Sequence, residues 1–153
     1  MTTTPFGQCL TALVTPFAPD GSLDLDRAAA LADRLVADGN DGLVISGTTG
    51  EAPTTHRDEK SDLLRAVVDA VGDRAHVIAG VGSNDTAHAV LMAQDAAKAG
   101  ATGLLSVTPY YNRPPQEGVV AHQLTVAEST DLPVVLYVIP HRSGIALTSE
   151  TII

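Results

Sequence analysis

Residues Val44 to Thr55 read VISGTTGEAPTT, and the change of character within this stretch decides the fold. The run GLVIS (Gly42 to Ser46) is apolar and β-branched almost throughout, as a strand covered on both faces reads. Gly47 and Gly50 then bracket two hydroxyls, Thr48 and Thr49, and a helical pattern starts a few residues later. A strand, a turn and a helix follow one another at once, which is the opening of a parallel βαβ unit.

The same succession recurs along the chain. Short apolar runs stand at CLTALV (Cys9 to Val14), HVIAG (His76 to Gly80), GLLSV (Gly103 to Val107) and PVVLYV (Pro133 to Val138). Between them Ala28, Leu31, Ala32, Leu35 and Val36 keep helical spacing before Gly39, and Leu63, Leu64, Val67, Val68 and Val71 do so before Gly72. Thr55-x-x-Asp58 reads as the start of that second helix, Thr86 to Ala99 as a third helix stopped at Gly100, and Gln116 to Ser129 as a fourth. Leu43, Val77, Leu104 and Val134 stand 34, 27 and 30 positions apart, so the unit repeats regularly. The expected fold class is α/β with five parallel strands. Two architectures satisfy the pattern: a doubly wound open sheet, and the first units of a (β/α)8 TIM barrel. The turn after the first strand, VTPFAPDGS, carries no GxGxxG, which removes the main support for dinucleotide binding.

Composition narrows the function. Nine basic residues against eighteen acidic ones give a net charge of −9, and the basic residues are scattered, so nucleic acid is not an expected partner. No Lys or Arg precedes Arg27 and no apolar run nears the ~18 residues of a membrane helix, so neither a signal peptide nor a membrane partner is expected, and the location read is cytoplasmic. Cys9 is the sole cysteine and is expected to pack as a small buried residue. The histidines at 56, 76, 88, 122 and 141 show no ligand spacing, so no metal is assigned.

Either architecture puts the ligand at the carboxyl ends of the strands. There stand Thr15, the turn Ser46 to Glu51, Gly82 to Asn84, Thr108 to Arg113, and Tyr137 to Arg142. Flexible backbone at Gly47 and Gly50, hydroxyls on Thr48 and Thr49, and amides leading into a helix make an anion cradle suited to a small carboxylate or a phosphate. Tyr110, Tyr111 and Tyr137, the three tyrosines of the chain, all fall at strand ends, where a phenol can pass a proton. Arg142 offers a fork of donors to a second carboxylate.

Three of these stretches, GTTGE (Gly47 to Glu51), VTPYYNRPPQEG (Val107 to Gly118) and LYVIPHRSG (Leu136 to Gly144), resemble the dihydrodipicolinate (4-hydroxy-tetrahydrodipicolinate) synthase family, and the likeness runs along nearly the whole chain. These are class I, Schiff-base-forming pyruvate aldolases and lyases on a (β/α)8 barrel. The resemblance implies condensation of pyruvate with aspartate semialdehyde, in lysine and diaminopimelate biosynthesis, without a cofactor beyond the covalent Schiff base. It implies a proton relay of Thr48, Tyr111 and Tyr137, with Tyr111 reaching a neighbouring subunit of a homo-oligomeric dimer or tetramer. Thr48 and Thr49 would hold the pyruvate carboxylate and Arg142 that of the semialdehyde. Arg57, Lys60 and His88 depart from the His, His and Glu common in lysine-inhibited members.

The chemistry needs a desolvated lysine amine. The chain has only Lys60, expected on the outer helical layer, and Lys98, expected in the last turn of the third helix at the opposite face, so no Schiff-base lysine is assigned here. The family places it on the sixth strand, which at this repeat would fall near position ~164. The expectation is therefore an incomplete barrel of about five strands and four to five helices, with residues 1–153 the amino-terminal part of one barrel domain, inactive alone. The alternatives are a noncatalytic pyruvate-binding or assembly module, and part of a related sugar-acid aldolase.

Overall fold

The structure, a computed structural model, describes residues 4–153. Strand β1 spans Leu10–Ala12, β2 Gly42–Ile45, β3 His76–Gly80, β4 Gly103–Val107 and β5 Val134–Tyr137. The main helices are α1 (Leu25–Ala37), α2 (Arg57–Val71), α3 (Thr86–Lys98) and α4 (Gln116–Ala127), followed by the short α5 (Pro140–Ser143) and α6 (Ser149–Ile152). A 3₁₀ turn, Ala52–Thr54, joins β2 to α2.

All pairings among these five strands are parallel, and the strands lie side by side in chain order, β1-β2-β3-β4-β5. That order separates the two architectures. A doubly wound sheet reverses its strand order at a switch point to put helices on both faces. Here each unit adds to the same edge, and α1 packs on α2, α2 on α3 and α3 on α4 in one continuous layer. The result is an incomplete (β/α)8 barrel whose outer edges are β1 and β5.

Side-chain alternation fixes which face meets the helices. Leu43 and Ile45 on β2, Val77 and Ala79 on β3, and Leu104 on β4 join Leu63, Leu64, Val67 and Val71 of α2 and Ala89 and Ala93 of α3 in one core. Each fully buried Leu, Ile or Val contributes ~1.5–3 kcal/mol. The opposite parity, Leu105 and Val107 on β4 and Tyr137 on β5, faces the barrel interior, where it lines a cavity. The helices are anchored at their starts: Asp24 accepts from the Arg27 amide at 3.0 Å, and Asp85 from the Ala87 and His88 amides at 2.9 and 3.2 Å.

Several expectations are corrected. Burial on both faces is complete only in the middle of β3; Val44 on β2 and Leu105 and Val107 on β4, which face the barrel interior, are half-buried, and Leu10 on β1 and Leu136 on β5 are exposed because an edge strand of an open barrel lacks a neighbour. Cys9 is exposed, its thiol 3.5 Å from Asn40 Oδ1, because it precedes β1 at the rim. The second helix begins at Arg57, with Glu59 accepting the His56 amide at 2.7 Å, while the Thr55 hydroxyl turns back to the Glu51 and Ala52 carbonyls. Gly72 stays right-handed at φ −64°, unlike Gly39 and Gly100, whose φ values of +102° and +90° turn the chain out of α1 and α3.

A part-buried polar contact joins α3 to α4. His122 of α4 is 5% exposed, its Nδ1 lies 2.8 Å from the Thr86 hydroxyl of α3, and its Nε2 has no partner among the described residues. Burial pushes the imidazole below its ordinary value of 6.5, with the Asp85 carboxylate opposing.

Candidate active site

The carboxyl ends of β2, β3, β4 and β5 open into one cavity of about 510 Å³. Ser46, Gly47 and Thr48 enter it from β2, Gly80, Gly82 and Ser83 from β3, Tyr110 and Tyr111 from β4, and Tyr137 and Arg142 from β5. Lys60 of α2, His88 of α3, Thr55 and Ser143 add to its polar lining. Among the described residues no Asp or Glu lines it, although the chain carries eighteen acidic residues. A concave site with positive groups and no carboxylate favours an anionic ligand.

The turn after β2 is built for close approach. Ser46 adopts φ +55° and is 6% exposed, which directs the chain back over β3. Only glycine fits opposite it: a Cβ on Gly80 would collide with the Ser46 carbonyl oxygen. The turn closes on itself, the Gly47 carbonyl accepting from the Gly50 and Ala52 amides at 3.1 and 3.2 Å. Thr48 and Thr49 are exposed, and among the described residues neither donates an amide or hydroxyl to another group. Those donors remain available to a ligand.

The other strand ends are held as firmly. Asn84 donates to Asn112 Oδ1 at 2.9 Å and Asn112 donates back to the Asn84 carbonyl at 3.2 Å, which ties the loop after β3 to the tyrosine loop after β4. Tyr111 takes φ +70° and is 88% exposed. After β5, the buried Ser143 hydroxyl donates to the Ile139 carbonyl at 3.0 Å, which fixes the turn carrying Arg142. Ser46, Glu51, Tyr111 and Arg113 are the non-glycine residues with positive φ among those described, and all four lie in loops after β2 and β4. Backbone held in this costly region concentrates at functional sites.

Thr48, Tyr111, Tyr137 and Arg142 thus share one cavity; Thr49, beside Thr48, does not line it. Lys60, expected on the outer layer, reaches inward instead. Its ammonium is half-buried, with Met92 Sδ at 4.0 Å and no carboxylate paired to it among the described residues, and burial lowers its pKa against the raising effect of Glu59. The sequence hides this because α2 starts close to the strand end, so a long side chain in its first turn spans the layer. Lys98 lies in the last turn of α3, at the far end of the barrel from the cavity.

A family model described as the dihydrodipicolinate synthetase family matches residues 5–153. The chain belongs to that family. It is 66% identical over 149 residues to the 4-hydroxy-tetrahydrodipicolinate synthase of Acidothermus cellulolyticus, covering 97% of this chain and 48% of that protein. It is 61% identical over 150 residues to synthase 2 of Streptomyces coelicolor, covering 98% and 50%. Among solved structures, dihydrodipicolinate synthase from Cyanidioschyzon merolae with lysine bound superposes with a TM-score of 0.94 at 45% identity, over 96% of this chain and 50% of that one. The chain therefore spans about half the length of the relatives it matches, the amino-terminal half of the family's barrel. Among the described residues no helix is long and apolar enough to cross a membrane.

Proposed function

We propose that the chain supplies the carboxylate cradle and proton relay of a pyruvate-condensing lyase of the 4-hydroxy-tetrahydrodipicolinate synthase type, acting in the cytoplasm in lysine and diaminopimelate biosynthesis. The single observation that carries the reading is the cavity itself, which gathers Thr48, Tyr111, Tyr137 and Arg142 and, among the described residues, is lined by no carboxylate. Thr48 and the adjoining amides hold the pyruvate carboxylate, with Thr49 beside them. Charge-assisted hydrogen bonds of this kind contribute ~1.5–3 kcal/mol each. Arg142 binds the carboxylate of aspartate semialdehyde with its planar fork.

In this reading an amine adds to the ketone of pyruvate and expels water to give an imine. Loss of a methyl proton makes an enamine, whose carbon attacks the aldehyde. Thr48, Tyr111 and Tyr137 move the protons between these steps. The exposure and left-handed backbone of Tyr111 support its reaching a neighbouring copy in a homo-oligomer. Lys98 stands at the wrong end for the amine. Lys60 reaches the cavity, but from the first turn of helix α2 and not from a strand end, where the family carries its amine, so in this reading the amine comes from a part of the barrel outside this sequence and the 153-residue chain does not condense alone.

The test is pyruvate titration of the 153-residue chain by NMR, together with borohydride trapping. Pyruvate should shift the Thr48 and Thr49 amides, Thr48→Val should weaken binding about tenfold, and no trapped adduct should form. A borohydride-stable adduct on Lys60, or binding untouched by Thr48→Val, would refute the assignment.

A further inference from the structure

Thr15 stands at the end of β1 with the other strand-end hydroxyls, yet it does not line the cavity. It is 6% exposed, and its hydroxyl donates to the Gly50 carbonyl at 2.6 Å. Gly50 closes the turn that presents Thr48 and Thr49. It is pressed so tightly onto β1 that an added Cβ would lie 3.0 Å from the Leu13 carbonyl oxygen, 3.2 Å from the Thr15 hydroxyl and 3.3 Å from the Ser46 amide nitrogen. The remaining hydrogen bonds of the turn are local, from Gly50 and Ala52 to Gly47, from Glu51 to Thr48, and from Thr54 and Thr55 to Glu51. Among the described residues, the Thr15 hydroxyl is the one side chain from another strand that bonds to the turn.

We infer that Thr15 is a positioning residue for the carboxylate cradle. The local bonds set the shape of the turn, and Thr15 sets its height above β1. Without the hydroxyl, the Gly50 carbonyl loses its partner in a buried place and the turn must lift to reach water, which carries the Thr48 and Thr49 donors away from the ligand. A threonine serves better than a serine or cysteine only in packing; its donor is what the turn needs. The inference rests on the reading of this turn as a pyruvate cradle.

The experiment compares Thr15→Val, which keeps the shape and removes the donor, with Thr15→Ser, which keeps the donor. Pyruvate is titrated into each 153-residue variant while the amide signals of Gly50 and Glu51 are followed by NMR. Thr15→Val should weaken pyruvate binding about tenfold and move both signals, and Thr15→Ser should restore binding to within about twofold of the parent. Parental affinity in Thr15→Val, or equal loss in both variants, would overturn the inference. If Thr15→Val does not fold, Thr15→Ser decides alone: parental affinity supports the hydroxyl, and a tenfold loss overturns it. Failure of the parent to bind pyruvate would sink the functional reading instead. Positioning is then judged on the Gly50 and Glu51 signals, and their remaining unmoved in Thr15→Val refutes it.

Discussion

Gly80→Ala probes the close approach on which the cradle depends. Gly80 ends β3, and a methyl there would meet the carbonyl of Ser46 and come within 3.1 Å of the Ile45 carbonyl oxygen. Both obstacles are backbone, so no side chain can swing aside. Overpacking of this kind costs ~1–3 kcal/mol, and this collision belongs in the upper part of that range. Replacing glycine returns ~0.4–1 kcal/mol through the unfolded chain. The net loss is then ~1–2.5 kcal/mol, about five- to seventyfold in the folding equilibrium, or a fall of ~2–10 °C in Tm at ~2–4 °C per kcal/mol. Gly118→Ala is the control. Gly118 lies inside α4 with its nearest neighbours at 3.4 Å, so the same methyl should raise stability by up to ~1 kcal/mol. Urea unfolding of parent and both variants gives the energies, and the Thr48 and Thr49 amide shifts report the cradle. A Gly80→Ala chain as stable as the parent, with those amides unmoved, would refute the close-packing argument.

Two further outcomes follow from buried titratable groups. The folded state lowers the pKa of His122 beneath 6.5, so it prefers the neutral ring. The stability linked to this ring is complete above pH 6.5 and is lost as pH falls through the lower folded value; in His122→Gln the urea midpoint should lose that component of its acid dependence. Lys60 is also shifted down by burial, so the folded state disfavours its charged form, and parental stability should rise as pH climbs toward 10.5. Lys60→Met should abolish that rise and be at least as stable as the parent at pH 7, checked by the same midpoints; a less stable Lys60→Met would show an ion partner for the ammonium.

Much of the architecture is legible in the residues. The runs at GLVIS, HVIAG and GLLSV are strands whose two faces, one toward the helices and one toward the barrel interior, both carry apolar residues and so leave no polar alternation, and the regular spacing of Leu43, Val77, Leu104 and Val134 makes the connections parallel crossovers. The strand-end rule then selects the loops holding Thr48, Tyr111, Tyr137 and Arg142. Less legible are facts that depend on side-chain reach or on an absent neighbour. Lys60 lies on a helix by periodicity, and only its path past Met92 brings it into the cavity. Cys9 has apolar sequence neighbours, yet lies at an exposed rim.

By itself the sequence determined the repeating βα unit, its helices and strands, and the polar loops that terminate them, because these follow from local hydrophobic periodicity and turn chemistry. Periodicity by itself leaves open sheet and barrel equal, since both share one local pattern and differ only in the side on which each new strand adds; the resemblance of the three strand-end motifs points to the barrel, and the strand order shows it. Tertiary structure alone decided the shape of the cradle. The left-handed Ser46, its close backbone approach to Gly80 and the bond from Thr15 to Gly50 bring together residues up to 35 positions apart, and only packing of one strand end against another creates them.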